Sequence, residues 1–126
     1  MYKLILYLLE AIMDNNYSEL TTIMLKMGFR CNHKGFIYLR TLLMIALSGK
    51  EVLPLSDRGY TYIGREYGVS VASVEKNIAN AISYAWTTGN VILHYQLFKY
   101  SISDEKGKPT NKQFLLTKLK YIDEKN

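Results

Sequence analysis

Between Tyr60 and Asn90 the chain reads as two helices joined by a sharp turn, and this stretch constrains what the rest can fold into. Ile63, Gly64 and Tyr67 give the first helix an inward face with one very small residue. A residue that small predicts a second helix crossing closely over it. Gly68 suits the left-handed conformation that ends a helix, and Ser70 suits the N-cap of the next. The second helix, over 71–88, carries Val71, Val74, Ile78, Ala81, Ile82 and Ala85 at helical spacing as its inward stripe. Gly89 is expected to end it, again left-handed. Ser73, Lys76, Asn80, Ser83 and Thr87 fall on the opposite face, with Asn77 beside them. Short helix, glycine turn, capped longer helix and polar outer face together form the pattern of a helix-turn-helix, whose second helix enters the DNA major groove.

The remaining segments read as helices that support this pair. Leu4, Ile5, Leu8, Leu9 and Ile12 repeat at helical spacing over residues 2–14, and Asn15-Asn16 is expected to end that helix. Leu6 and Met13 widen its apolar surface, so it must bury two faces. One packs on the domain; the other either meets a second chain or also packs internally. Residues 1–16 therefore stand apart as an N-terminal apolar helix and candidate dimerisation element, ahead of a helix-turn-helix domain over 17–126. A second helix is expected from Ser18, as N-cap, to Met27, with Gly28 as its stop and Leu20, Ile23, Met24 and Met27 as its stripe. After a loop over 29–33, a third helix from Lys34 to about Ser48 is apolar nearly all round and is expected to be the central buried one. Pro54 and Gly59 act as breakers in the connector that follows. Val91 to Tyr100 reads as a short helix, with a strand left open by the alternation of Val91, Leu93 and Tyr95. Pro109-Thr110-Asn111 starts a last helix ending near Glu124, with Phe114, Leu115, Leu119 and Ile122 inward. The expected fold is all-α, a compact domain of about six or seven helices built around the helix-turn-helix.

Charge and composition narrow the function classes. A length of 126 residues with 48% apolar content supports one globular domain with a real core. The net charge of +5 suits a polyanionic partner without requiring one. Cys31 is the only cysteine, so no intrachain disulfide can form, and a reducing cytoplasm fits that count. Cys31 and His33 lack the further ligands that would complete a metal site, and neither metal nor cofactor is expected. The uncharged run between Lys3 and Glu10 is only six residues long, too short to span a bilayer. Paired carboxylates, a nucleophile with a base and a phosphate-cradling glycine loop are all missing from the sequence pattern, so an enzyme is not expected.

From about Ser18 onward the chain resembles a known family. Lys34-Gly-Phe-Ile-Tyr-Leu-Arg40 matches a Lys-Gly-Tyr-x-Tyr-Leu-Arg segment; Val74-Glu75, Ala81-Ile82 and Ala85-Trp86 match a recognition helix. Gly89-Asn90, and Lys108-Pro-Thr-Asn111 followed by Phe114, come in the same order and spacing. These segments resemble the DNA-binding effector domain of the sporulation initiation response regulator of spore-forming bacteria, over roughly four-fifths of the chain. The resemblance implies an all-helical domain that binds short DNA boxes, often as two domains side by side. It also places Trp86 in the core. Members of that family carry an N-terminal receiver domain with a phospho-accepting aspartate; here the 2–14 helix stands in its place, which is expected to make a complete small protein paired through that helix. Where the family places arginines and a histidine on the groove face, this chain has Ser73, Lys76, Ala79 and Asn80. The family's target sequence therefore does not carry over.

In the major groove, Asn80 can bond an adenine edge, Lys76 a guanine, and Ser73 either base type. Asn77, Ser83 and Thr87 are candidates for further groove or phosphate contacts. With one cation on this face, affinity must come from phosphate contacts elsewhere, for which Arg58, Arg65 and Lys108, with Lys106 and Lys112, are candidates. Lys34 and Arg40 read as surface charges. The expected function is a dimeric, sequence-specific duplex-DNA-binding regulator. The alternative is an interaction module, a helix-turn-helix without its arginines that pairs with another transcription regulator.

Overall fold

The computed structural model describes residues 15–89 and 108–117. The sequence expectations that rest on 1–14, 90–107 and 118–126 lie outside these residues, among them the stripe Leu4, Ile5, Leu8, Leu9 and Ile12, the Val91–Tyr100 segment, Lys106, and the last helix's Leu119, Ile122 and end near Glu124. Among the described residues there are five helices and no strand: α1 (15–26), α2 (Lys34–Leu47), α3 (Gly59–Tyr67), α4 (Val71–Thr88) and α5 (111–117). The all-α class is as expected, with five helices described where six or seven were anticipated. No described helix is long and apolar enough to cross a membrane.

The apolar stripes read from the sequence meet in one core. Leu20, Met24 and Met27 of α1, Phe36, Leu39, Leu42 and Leu43 of α2, and Ile63 of α3 are buried. So are Val74, Ile78 and Ile82 of α4 and Phe114 of α5. Phe29, placed by the sequence in a loop, is buried as well and packs against Phe36 at a tilt and against Phe114 edge-on, at ring-centroid distances of 6.3 and 5.4 Å. Trp86 is half-buried with its ring 6.2 Å from that of Phe114, in the packing role the resemblance implied.

Several local expectations are corrected. The first described helix already runs at residue 15, so Asn15 and Asn16 belong to it and Ser18 lies inside it rather than capping it. Gly59 does not break a helix but begins α3; a Cβ there would press on Leu42, Leu55 and the Val52 carbonyl, all within about 3 Å. Arg40 is not a plain surface charge. It is half-buried with its guanidinium over the rings of Tyr17 and Phe36, at 4.4 and 4.8 Å, and donates from Nη1 to Thr21 Oγ1.

The close helix crossing is also elsewhere than expected. At Gly64 the space for a Cβ is taken by the Val69 carbonyl, 2.7 Å away, so the small residue serves the turn. The tight crossing lies between α2 and α4, where a Cβ on Gly35 would fall 1.9 Å from the Asn77 carbonyl oxygen. Gly89 makes a second close approach. Its φ of −88° is open to any residue, and the need for glycine comes from the Met27 carbonyl, 1.9 Å from where a Cβ would sit. Two backbone-to-backbone approaches thus hold α4 against α2 and against the end of α1.

Candidate nucleic-acid interface

The turn that presents α4 follows the residues expected to build it. Gly68 adopts φ 68°, ψ 37°, ending α3 with its N–H bonded to the Gly64 carbonyl. Val69 donates to the same carbonyl at 3.0 Å. Ser70 is the N-cap of α4, its hydroxyl accepting from the Ser73 N–H at 3.1 Å, which satisfies one donor that a bare helix end would leave unpaired. Three residues therefore separate the two helices, and the turn is held by bonds on both sides.

With Val74, Ile78, Ala81, Ile82 and Ala85 facing the core, α4 turns Ala72, Lys76, Ala79, Asn80 and Thr87 to solvent. Val71, expected inward, is half-buried at the first turn. Ser73 and Asn77 are half-buried and tied together: the Asn77 amide donates to the Ser73 carbonyl at 2.8 Å and to its hydroxyl at 3.2 Å. Glu75, Lys76 and Asn80 are the long polar side chains standing clear of such local bonds. Thr87 Oγ1 donates to the Ser83 carbonyl, and the Ser83 hydroxyl accepts from Lys108 Nζ.

Both flanks of this face carry cations from segments remote in sequence. On one side, His33, Lys34, Asn77, Asn80 and Tyr84 line a cleft of about 410 Å³ between the start of α2 and α4. The His33 ring meets Tyr84 edge-on at 4.9 Å, and the Arg30 guanidinium lies 5.4 Å from the same ring. Arg30 and Lys34 are exposed. On the other side, Tyr60, Glu75, Ala79, Lys108, Asn111 and Lys112 line a second cleft of about 360 Å³. Lys108 extends from it across the α4 face to Ser83. Burial raises the Tyr60 phenol above its ordinary value near 10, with the Glu75 charge adding to the rise and the Asn111 hydrogen bond opposing it.

Of the other expected contact residues, Arg58 is exposed at the N-cap of α3. Arg65 borders a groove between α2 and α3 with Thr41, Ile45, Lys50 and Tyr62, away from the exposed face of α4. Arg30 and Lys34 are the cations that sequence reasoning passed over beside α4. A signal existed: Lys34 opens α2 with no acidic residue in the first turn, although a helix N-terminus disfavours positive charge. A basic residue in that setting favours a site that takes an anion. Cys31 is exposed, and among the described residues no three His, Cys, Asp or Glu side chains gather as metal ligands.

A capped, outward-facing second helix on a fixed glycine turn defines a helix-turn-helix domain of the nucleic-acid-binding kind. The family Sporulation initiation factor Spo0A C terminal matches residues 20–122, so the chain belongs to that family. The family is the C-terminal DNA-binding domain of a sporulation regulator and not an enzyme family. DNA binding is thus the activity the fold and the family share.

Proposed function

We propose that the protein is a sequence-specific transcription regulator that lays α4 in the major groove of duplex DNA. One observation carries this reading: the exposed face of α4 is bracketed by cations from two separate segments, Arg30 and Lys34 on one side, Lys108 and Lys112 on the other. A helix in a groove about 12 Å wide has a phosphate strand along each side, and the bracket supplies a partner for each. Asn80 pairs with an adenine through its amide, and Lys76 donates to a guanine or to a phosphate. Ser73 reads from the first turn with the hydroxyl hydrogen that the Asn77 bond leaves available. Asn77, Ser83 and Thr87 line the groove edges, and Arg58 reaches a phosphate further along the duplex, while Arg65, turned to the α2–α3 groove, takes no part.

Pairing of two such domains is assigned to the apolar stripe Leu4, Ile5, Leu8, Leu9 and Ile12, within residues 1–16, with the DNA-binding domain following over 17–126. Two α4 helices on one duplex would explain how a face with a single cation discriminates sites, since each domain adds its own contacts.

Selection of bound duplexes from a random pool, followed by mobility shifts at low and moderate salt, tests the proposal. The expected result is an enriched motif bound with strong salt dependence. Failure to shift any duplex at low salt would refute it. For the pairing, a chain lacking residues 1–14 should be a folded monomer with weaker DNA binding, and a truncated chain that stays dimeric would remove the stripe from the interface.

A further inference from the structure

We propose that Asn111 is a positioning residue for DNA binding, which holds the Lys108 ammonium over the exposed face of α4. The proposal rests on the DNA-binding reading above. Asn111 Nδ2 donates to the Tyr60 hydroxyl at 3.0 Å and to the Glu75 carbonyl at 3.1 Å. One side-chain amide therefore joins the start of α5 to α3 and to α4, the two helices of the helix-turn-helix. The requirement is chemical. A primary amide carries two donor hydrogens on one nitrogen, aspartate carries none, and serine has one.

The segment around Asn111 is fixed by two further devices. Pro109 is buried. Thr110 and Gln113 form a reciprocal capping box, the Thr110 N–H donating to Gln113 Oε1 at 2.8 Å and the Gln113 N–H to Thr110 Oγ1 at 3.1 Å. These hold the shape of the helix start, but neither bonds to α4. Asn111 alone of the three makes a hydrogen bond to α4, and Lys108, three residues earlier, reaches Ser83 two turns along that helix. Lysine loses much rotamer freedom when its ammonium is held in one place. A base segment registered on α4 lowers that cost before DNA arrives, so Asn111 acts on the phosphate contact through Lys108 and touches no DNA itself.

The test is a double-mutant cycle in the full chain, with Asn111→Ala and Lys108→Ala read by mobility shift on a mixed-sequence duplex pool across a salt series. The Lys108 variant should lower the slope of log affinity against log salt by about 0.9, the value of one phosphate contact. Asn111→Ala should lower it by a similar amount, and the double variant no further. Additive losses, or no loss in Asn111→Ala, overturn the proposal. So does an unchanged slope in Lys108→Ala when the parent chain binds, which leaves the DNA-binding reading standing.

Hydrogen exchange without DNA supplies an independent readout: Asn111→Ala should speed exchange across 108–113 while α4 stays protected, and unchanged exchange there counts against the clasp. If the parent chain binds no duplex, the DNA reading has failed and this proposal with it, whereas the exchange result still reports whether the clasp exists. Should Asn111→Ala not fold, Asn111→Leu keeps the size of the side chain while removing both donor hydrogens, and the same cycle with Lys108→Ala decides by the same outcomes.

Discussion

Replacing Gly35 by alanine strikes the contact on which the position of α4 depends. The added Cβ would fall 1.9 Å from the Asn77 carbonyl oxygen, 2.6 Å from its carbon and 2.8 Å from the Ala81 methyl. Two of these three atoms are backbone, so no side-chain rotation relieves the clash. Restoring an ordinary separation of 3.4 Å requires α2 to retreat from α4 by about 1.5 Å along that contact. Forced overpacking of this kind costs about 1–3 kcal/mol, and occasionally more. Alanine's better helix propensity returns at most roughly 1 kcal/mol, since Gly35 is only the second residue of α2. Because the obstacle is backbone, the upper end applies, for a net loss of about 2 kcal/mol. With an unfolding entropy near 2.1 cal/mol/K per residue, 126 residues convert this to a fall of about 8 °C in melting temperature. A thermal melt followed by circular dichroism measures it. Gly68→Ala is the comparison: nothing lies within 4 Å of its added Cβ, and its φ of 68° exacts about 1–2 kcal/mol from conformation alone. A Gly35→Ala chain that melts at or above the parent temperature would show that α2 and α4 are not in backbone contact, and the account of how α4 is held would be wrong.

Other outcomes follow from the same geometry. Ser70→Ala removes the N-cap bond to Ser73 and should lower stability by about 1 kcal/mol, measurable by urea unfolding, with Ser70→Gly losing only a few tenths. Arg30→Ala and Lys34→Ala should weaken binding to all duplexes alike, each lowering the salt slope by about 0.9, as mobility shifts across a salt series will show. Tyr60 should make the fold alkali-sensitive. Its raised value means the folded chain keeps a proton that the unfolded chain releases from about pH 10, so its stabilising contribution is intact below that pH and is lost as pH rises further. Tyr60→Phe should flatten that part of a stability-versus-pH curve.

What was legible in the sequence was periodic or local. The stripes of α1, α2 and α4 are periodic and landed in the core, and the Gly68–Ser70 turn is local chemistry that formed as read. What escaped depended on which segments meet. Gly35, Gly64 and Gly89 are alike as letters, yet one makes room for a crossing helix, one for a turn carbonyl and one for the end of α1. Arg40 looked like surface charge because nothing nearby in sequence announces the ring of Tyr17. Arg30 and Lys34 looked ordinary because Tyr84 and Asn80, which give them a setting, lie about fifty residues away. Asn111 looked like a helix start, and its bonds to α3 and α4 become visible only in three dimensions.

In the proposed DNA complex, this arrangement separates recognition from grip. Lys76 is the one cation within α4, so sequence reading falls mainly to neutral groups on a helix whose place is set by backbone contacts at Gly35 and Gly89. On that proposal, phosphate attraction falls to Arg30 and Lys34 before and at the start of α2 and to Lys108 and Lys112 around the start of α5, with Arg30 set against α4 through Tyr84 and Lys108 through Ser83. Substitutions on either flank should therefore alter affinity evenly across sequences and leave preference intact. Changes to the contacts that seat α4 should disturb both, because phosphate contacts fix the register in which the bases are read. A chain organised this way can change its target by altering Lys76 and Asn80 without rebuilding the scaffold.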